Sequence, residues 1–335
     1  MNENNPKISI IIPVWNGGKY LVAALESVAA QTFSDWECIC VNNVSTDGSA
    51  DVIREFSVRD PRFVLINNSE NMGAVGGRNI GMDAARGEIF TFLDQDDLLQ
   101  PRALEIYAFF ADDPRRPDMI RGKCRLVSKD FAISTADADA ALPDVRVQYF
   151  NNPRADFIKL ASNRKRYSMW MYVWICCYRR DAVKDIRFDI RQSGGGGGED
   201  NVFTGKVIDS IKSFIQFDAV VLNYRASPAS QTHNGFQESL VNTYSMLVPV
   251  VYETFGGESD WHEFIRRWTA ARMYRMCVKR TVLENMHIDK ARSVLASIAD
   301  YLPLMKKYLG WRRMLYIRLF MRGRIKLLRF SLHIL

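Results

Sequence analysis

Asp94-Gln95-Asp96-Asp97 gathers three carboxylates into one short stretch. Alternate carboxylates on an extended segment can bind a hard divalent ion through oxygen, with Mg²⁺ or Mn²⁺ completing its shell from phosphate oxygens and water. By itself the pattern is weak, because surface turns and capping aspartates produce it too. Its setting raises it: the stretch comes straight off a short apolar run, residues 89–93, of the kind that forms a strand. In an open α/β sheet the loops at the carboxyl ends of the strands hold the ligand.

The elements before it fit such a sheet. Short apolar runs at residues 8–14, 38–41, 63–66 and 89–93 alternate with helical stretches at residues 20–30, 49–58 and 74–85. Each run is too short for a helix, and near-continuous apolarity suits parallel strands covered on both faces. The ligand loops therefore begin at Pro13, Asn42, Asn67 and Asp94, and all four are polar. Pro101 is expected at the first position of a helix over residues 102–111. Residues 112–118 read as a turn, 119–127 as a strand and 132–141 as a mobile loop. An aromatic run at residues 170–178 precedes five glycines, a helix over residues 201–211 and a strand pair within residues 214–224, after which the chain reads as helical beyond residue 239.

Composition excludes several classes. The chain has 335 residues, 47% apolar, 25% charged and 12% aromatic, as expected of a globular protein rather than a collagenous, disordered or disulfide-built one. Six cysteines without a C-x-x-C pair, after a polar start, read as reduced thiols in a cytoplasmic protein with no secretory leader. Residues 301–335 carry nine Lys or Arg and no acid, leaving 36 basic against 38 acidic groups elsewhere. The net charge of +7 thus belongs to the tail and points to a local anionic partner, not to nucleic acid. No P-loop, G-x-G-x-x-G, H-E-x-x-H or G-x-S-x-G is present.

Five ordered motifs carry a resemblance. They are Ile10-Ile11-Ile12-Pro13-Val14-Trp15-Asn16, Gln31-Thr32-Phe33, residues 41–49 (Val-Asn-Asn-Val-Ser-Thr-Asp-Gly-Ser), Asn71-x-Gly73 with Arg78-Asn79-x-Gly81, and Phe92-Leu93-Asp94-Gln95-Asp96-Asp97. Together they resemble a family 2 glycosyltransferase of the GT-A fold. Glu199-Asp200, after the glycines and before a strand ending Tyr224-Arg225, is similar to that family's E-D motif. The resemblance implies an α/β, Rossmann-like sheet followed by a helical C-terminal region. It also implies that Pro13, Val14, Trp15, Asn16, Asn43, Gly73, Arg78, Asp94 and Gln95 bind the nucleotide sugar, that Asp96 and Asp94 bind the metal, and that Asp200, with Glu199 next in line, is the base. His233, where relatives place a further metal or phosphate ligand, competes with an exposed loop histidine. The sequence departs from the pattern at Asn43, where the family has an acid, and at Val44, where it has glycine. An Asn amide both donates and accepts and still suits a uracil edge.

The bland readings stand beside these. Glu199 and Asp200 could merely complement a helix dipole, Arg78 could be a solvated helix residue, and Trp170, Trp174 and Tyr178 could line an acceptor site or fill the core. The expected division is a GT-A domain over residues 1–230, with its nucleotide half at about 1–112 and its acceptor half at about 113–230. A helical region at 231–300 and a basic tail at 301–335 follow. The expected reaction is inverting, metal-dependent transfer of a hexose or N-acetylhexosamine from a UDP-sugar to a membrane-linked glycan in surface polysaccharide synthesis. A nucleotidyltransferase and a silent membrane scaffold are the alternatives. In the tail, Met314, Ile317, Met321, Ile325 and Leu328 form an apolar stripe beside Arg318, Arg322, Lys326 and Arg329. Spanning a bilayer would place five charges in hydrocarbon at ~3 kcal/mol each. Residues 310–335 are therefore expected to lie on an anionic membrane at the cytoplasmic face, the competing reading being that the stripe packs on the chain's own domain or a partner subunit.

Overall fold

A computed structural model describes residues 5–128, 130–131, 145–161, 172–192, 198–226 and 238–333. The chain forms two compact units, dividing at residues 193/194, 202/203 and 227/228.

In the first unit β1 (Ile8–Val14), α1 (Gly18–Ala29), β2 (Trp36–Asn42), α2 (Ser49–Arg59), β3 (Phe63–Asn67), α3 (Gly73–Ala84) and β4 (Ile89–Phe92) follow one another as expected. Parallel pairing of β3, β2, β1 and β4 places all four carboxyl ends on one edge. β1 and β2 are buried along their whole length, which is why residues 10–14 and 38–41 are apolar without alternation, and the buried Ser9 hydroxyl donates to Glu37 Oε1 (2.7 Å). Gly81 lets α3 lie against β1, since a Cβ there would stand 2.3 Å from Ile11 Cγ2.

The sheet continues through β8 (Cys176–Arg179), β6 (Met119–Ser128), β9 (Phe214–Ala226) and β5 (Leu98–Leu99), with β7 (Val147–Phe150) also on β9. β8 runs antiparallel to both β4 and β6. Two expectations are corrected. Residues 214–224 are not a strand pair: β9 is one thirteen-residue strand whose partners β5, β6 and β7 all come from earlier in the chain. Pro101 does not open its helix: α4 (Ala103–Ala111) starts two residues later, with Ala103 N–H bonding to Gln100 O (2.9 Å), so the proline sits in the preceding turn. α5 (Pro153–Ala161) and α6 (Glu199–Ser210) complete the helices this region shows. Residues 132–141, expected to be a loop, lie outside the described residues.

The second unit contains α7 (Glu238–Thr254), α8 (Asp260–Met273), a π-helical turn (Tyr274–Arg280), α9 (Thr281–Glu284), α10 (Ile288–Ser297), α11 (Leu302–Met321) and α12 (Ile325–His333). Ser259 caps α8 by accepting from His262 N (3.2 Å). The tail is not one helix. Gly310 (φ 73°) breaks α11, and Gly323 (φ 76°) separates α11 from α12. Of the expected stripe, Ile317 and Leu328 are buried together with Phe320 and Leu332, packed against helices of this unit, whereas Met321 is exposed. No helix among the described residues is long and apolar enough to cross a membrane.

Candidate active site

The loops after β1, β2, β3 and β4 are fastened to one another by polar side chains bonding to backbone. Trp15 N donates to Gln95 Oε1 (2.8 Å) while Gln95 Nε2 donates to Trp15 O (3.0 Å), joining the first loop to the acidic one. Asn16 N donates to Ser45 Oγ (3.0 Å), Thr46 N to Asn16 Oδ1 (2.8 Å), Gly17 N to Ser49 Oγ (3.0 Å) and Gly18 N to Asp47 Oδ2 (2.8 Å), joining the first loop to the second. Backbone polar groups that leave a strand edge must find partners, and here side chains of serine and aspartate supply them. Trp15 itself remains 54% exposed, an aromatic face at the open side of this cluster.

Asn43 is buried. It donates from Nδ2 to Gly73 O (3.1 Å) and accepts at Oδ1 from Asn68 Nδ2 (2.6 Å), so its amide ties the second loop to the start of α3 and the loop after β3. A carboxylate could do only the second of these. Gly77 makes room for it: a Cβ there would meet Asn43 Nδ2 at 2.8 Å and Pro13 Cβ at 2.9 Å. Val44 holds φ 57°, a left-handed backbone that glycine adopts freely and a β-branched residue resists.

Arg78 projects from α3 with only 3% exposure and donates from Nη2 to Asp94 Oδ1 (2.8 Å). Its guanidinium lies 5.4 Å from the Phe188 ring centroid and 6.0 Å from that of Phe92. It is therefore a buried, fixed cation rather than a solvated helix residue. Next to it, Asn79 trades two hydrogen bonds with the Phe188 backbone (3.0 and 2.9 Å), a structural clamp.

The acidic loop is a tight turn, with Asp97 N bonding Asp94 O at 3.0 Å. It separates its three carboxylates. Asp94 is paired with Arg78, and Asp97 turns inward to 1% exposure, where its Oδ1 accepts from Arg225 N (2.8 Å). Asp96 lies between them, partly exposed, its backbone carbonyl gripped by Arg225 Nη1 at 3.0 Å. Desolvation, then the neighbouring Asp94 charge, push the Asp96 carboxyl up to about 6. Burial, with Asp94 and Asp96 nearby, also pushes Asp97 well above the usual carboxylate range. The Oδ2 of Asp97 has no hydrogen-bond partner among the described residues.

These carboxylates suit a divalent cation held jointly with a phosphate ligand. Negative charge accumulates at Asp96 without a described side chain bonding its carboxylate, and a hard cation would relieve that charge. They do not form a complete protein cage: among the described residues no cluster of three or more His, Cys, Asp or Glu side chains could hold a metal. Phosphate oxygens and water would have to supply the rest of the shell. His233 lies outside the described residues.

Arg225 and Asp97 were missed as a pair, although both residues stand in the motifs quoted above. Nothing in the spacing links positions 128 residues apart; only the pairing of β5 with β9 does so. Tyr178 is core, fully buried against Phe90, Phe92 and Phe203. Trp174 is stacked between Tyr172 and Tyr224, centroids 4.5 and 5.1 Å away; Trp170 lies outside the described residues. Glu199 and Asp200 are partly exposed in the first turn of α6, within the segment that belongs to the second unit.

EpsH of Bacillus subtilis, named as a glycosyltransferase, is 30% identical over 190 residues, 56% of this chain and 52% of EpsH. WcaA of Escherichia coli, named for colanic acid biosynthesis, is 37% identical over 107 residues, 31% of this chain and 38% of WcaA. The chain thus spans about half or less of the length of these relatives. Staphylococcus aureus TarS residues 1–349, solved with UDP-GlcNAc, superposes with a TM-score of 0.70 at 17% identity, covering 97% of this chain and 91% of that one. The shared fold is GT-A. The family model described as "Glycosyl transferase family 2" matches residues 9–186, more than half of the sequence, and the chain belongs to that family.

Proposed function

We propose that the protein is an inverting glycosyltransferase that moves a hexose or N-acetylhexosamine from a UDP-sugar to a membrane-linked glycan during surface polysaccharide assembly. The observation that carries this reading is the acidic turn. One carboxylate is neutralised by a buried arginine, and the next, Asp96, is left charged and short of partners at the carboxyl edge of a parallel sheet. The family membership, the UDP-GlcNAc in TarS and the polysaccharide role in WcaA's name support it.

In this reading the acceptor hydroxyl oxygen bonds to the anomeric carbon as its proton passes to Asp200, and the C–O bond to the diphosphate breaks with its electron pair on oxygen. A single displacement inverts the anomeric centre, and a general base is worth ~10²–10⁴-fold. Bound Mg²⁺ or Mn²⁺ would stabilise charge on the departing diphosphate. Asp96 would hold it, with Asp94 kept in place by Arg78. Trp15 and the Asn43 loop would border the nucleoside, and Gln95 and Gly73 would fix the backbone around it.

A panel of UDP-, GDP-, ADP- and dTDP-sugars, each with and without Mn²⁺, tests the proposal by the rise in melting temperature. The expected outcome is a metal-dependent rise for a UDP-sugar, slow release of UDP, and a product of opposite anomeric configuration by NMR. Release of sugar 1-phosphate instead, by attack on the nucleotide's phosphorus, would assign a nucleotidyltransferase. Binding without turnover on any acceptor would assign a silent scaffold.

The tail reading is revised by the fold. Because Ile317 and Leu328 are internal, the face offered to an anionic membrane is the exposed one, with Trp311, Leu315, Met321 and Leu327 among Arg312, Arg318, Arg322 and Lys326. Tryptophan with basic residues on a helix surface suits the headgroup region, at ~1 kcal/mol per cation near anionic lipid.

A further inference from the structure

Where Gly310 turns the chain, residues before and after it line one cleft of about 500 Å³ within the second unit. Its lining contains three cations, Lys306, Arg318 and Arg322, and no acid. None of the three forms an ion pair with a described residue, although ion pairs occupy Lys307 and Arg280 nearby. The rest of the lining is apolar, chiefly Leu302, Met314 and Met321, over a floor at Ile317 that is 1% exposed. Around it, Leu304, Trp311 and Leu315 keep large apolar surfaces in water.

Three like charges beside a greasy recess are a poor arrangement without a ligand, because each repels the others and none has a counter-charge. An anion alone would satisfy the cations and leave the recess wet. An apolar chain alone would do the reverse. A molecule carrying both parts satisfies the whole cleft, and the volume lies within the usual range for a small-molecule site. We propose that this cleft binds the phosphate headgroup and adjoining chain of an anionic membrane lipid. The inference deepens the membrane-surface reading above and rests on it, not on the transfer chemistry.

Co-sedimentation with vesicles of phosphatidylcholine alone and of phosphatidylcholine with phosphatidylglycerol tests it on the full chain. Two triple variants separate a cleft from a diffuse charge effect: Lys306→Gln/Arg318→Gln/Arg322→Gln inside it, and Arg312→Gln/Arg324→Gln/Lys326→Gln outside it. The wild type should bind only vesicles containing phosphatidylglycerol. At roughly fivefold per cation from charge near the surface, each triple should bind them on the order of a hundredfold more weakly, and the cleft triple should lose clearly more than the outer one, because its cations meet the headgroup directly. Equal losses in both triples, or no binding by the wild type, would overturn the proposal. Glycerol phosphate supplied as a soluble competitor should not displace the protein from the vesicles; displacement at equal phosphate concentration would make the ligand a free phosphate compound. Met314→Trp fills the cleft with every charge in place. It should weaken vesicle binding too, and full binding by it would count against the cleft even if the cleft triple fails to fold. UDP-sugar binding measured on the same proteins is expected to be unchanged, so that failure of the transferase reading and failure of the lipid site give different results.

Discussion

Val44 offers a test of backbone strain in the loop after β2. Its φ of 57° costs a non-glycine residue about 1–2 kcal/mol. Val44→Gly removes that strain but also makes the unfolded chain more flexible, which costs about 0.4–1 kcal/mol. It loses the exposed isopropyl group as well, so its absolute effect is close to zero and uninformative. The comparison with Val44→Ala is informative, because both variants lose the two methyls and only alanine keeps the strain. At an ordinary φ, alanine would be the more stable of the two by the entropy term. At this φ, glycine should be the more stable by about 0.5–1 kcal/mol, or about 2 °C in melting temperature. Thermal and urea melts of the two variants, measured side by side, decide the sign. Alanine equal to or above glycine would refute the left-handed backbone at this position.

The remaining predictions concern the chemistry. Asp96→Ala should abolish metal-dependent transfer while leaving the melting temperature nearly unchanged, because the side chain contributes charge rather than packing; normal turnover with Mn²⁺ would reduce the acidic loop to a turn. In the wild type, divalent-ion affinity by calorimetry should weaken as pH falls below about 6, approaching tenfold per unit, because a carboxyl raised to that range must lose its proton to ligate. Asp200→Asn should preserve donor binding and lower turnover by ~10²–10⁴-fold, and unchanged turnover would pass the role to Glu199. Asn43→Asp replaces the donor to Gly73 O by a carboxylate at 3.1 Å, which should cost about 1–3 kcal/mol and change the ranking of UDP- against GDP-sugars; an unchanged ranking would confine Asn43 to holding the loop.

The sequence showed most plainly what local pattern determines. β1 is legible because seven consecutive buried positions leave no alternation to misread. The Asp94–Asp97 loop is legible because it leaves a strand of the same kind. Residues 214–226 were harder: a strand pair was expected within residues 214–224, yet one strand runs through them because three distant segments pair with it. The stripe in the tail was ambiguous for a related reason. Helical spacing identifies an apolar stripe, but it does not say whether helices of the same chain already cover it, as they cover Ile317 and Leu328. Arg225 depends on both problems at once, since its backbone N–H reaches Asp97 only when β9 lies beside β5.

That last pairing bears on how the enzyme comes into being during synthesis. The acidic turn emerges from the ribosome long before its support does, for Asp97 waits on Arg225 and Leu98 on Asn223. Until the 226th residue is made, β6, β7 and β5 all lack their common neighbour. A nascent chain truncated at residue 186, where the family match ends, would contain every nucleotide-loop motif and still be unable to close the sheet around them. The edge that carries the acidic turn is thus read out early and assembled late, and ribosome-stalled chains should acquire protease resistance only once β9 has cleared the exit tunnel.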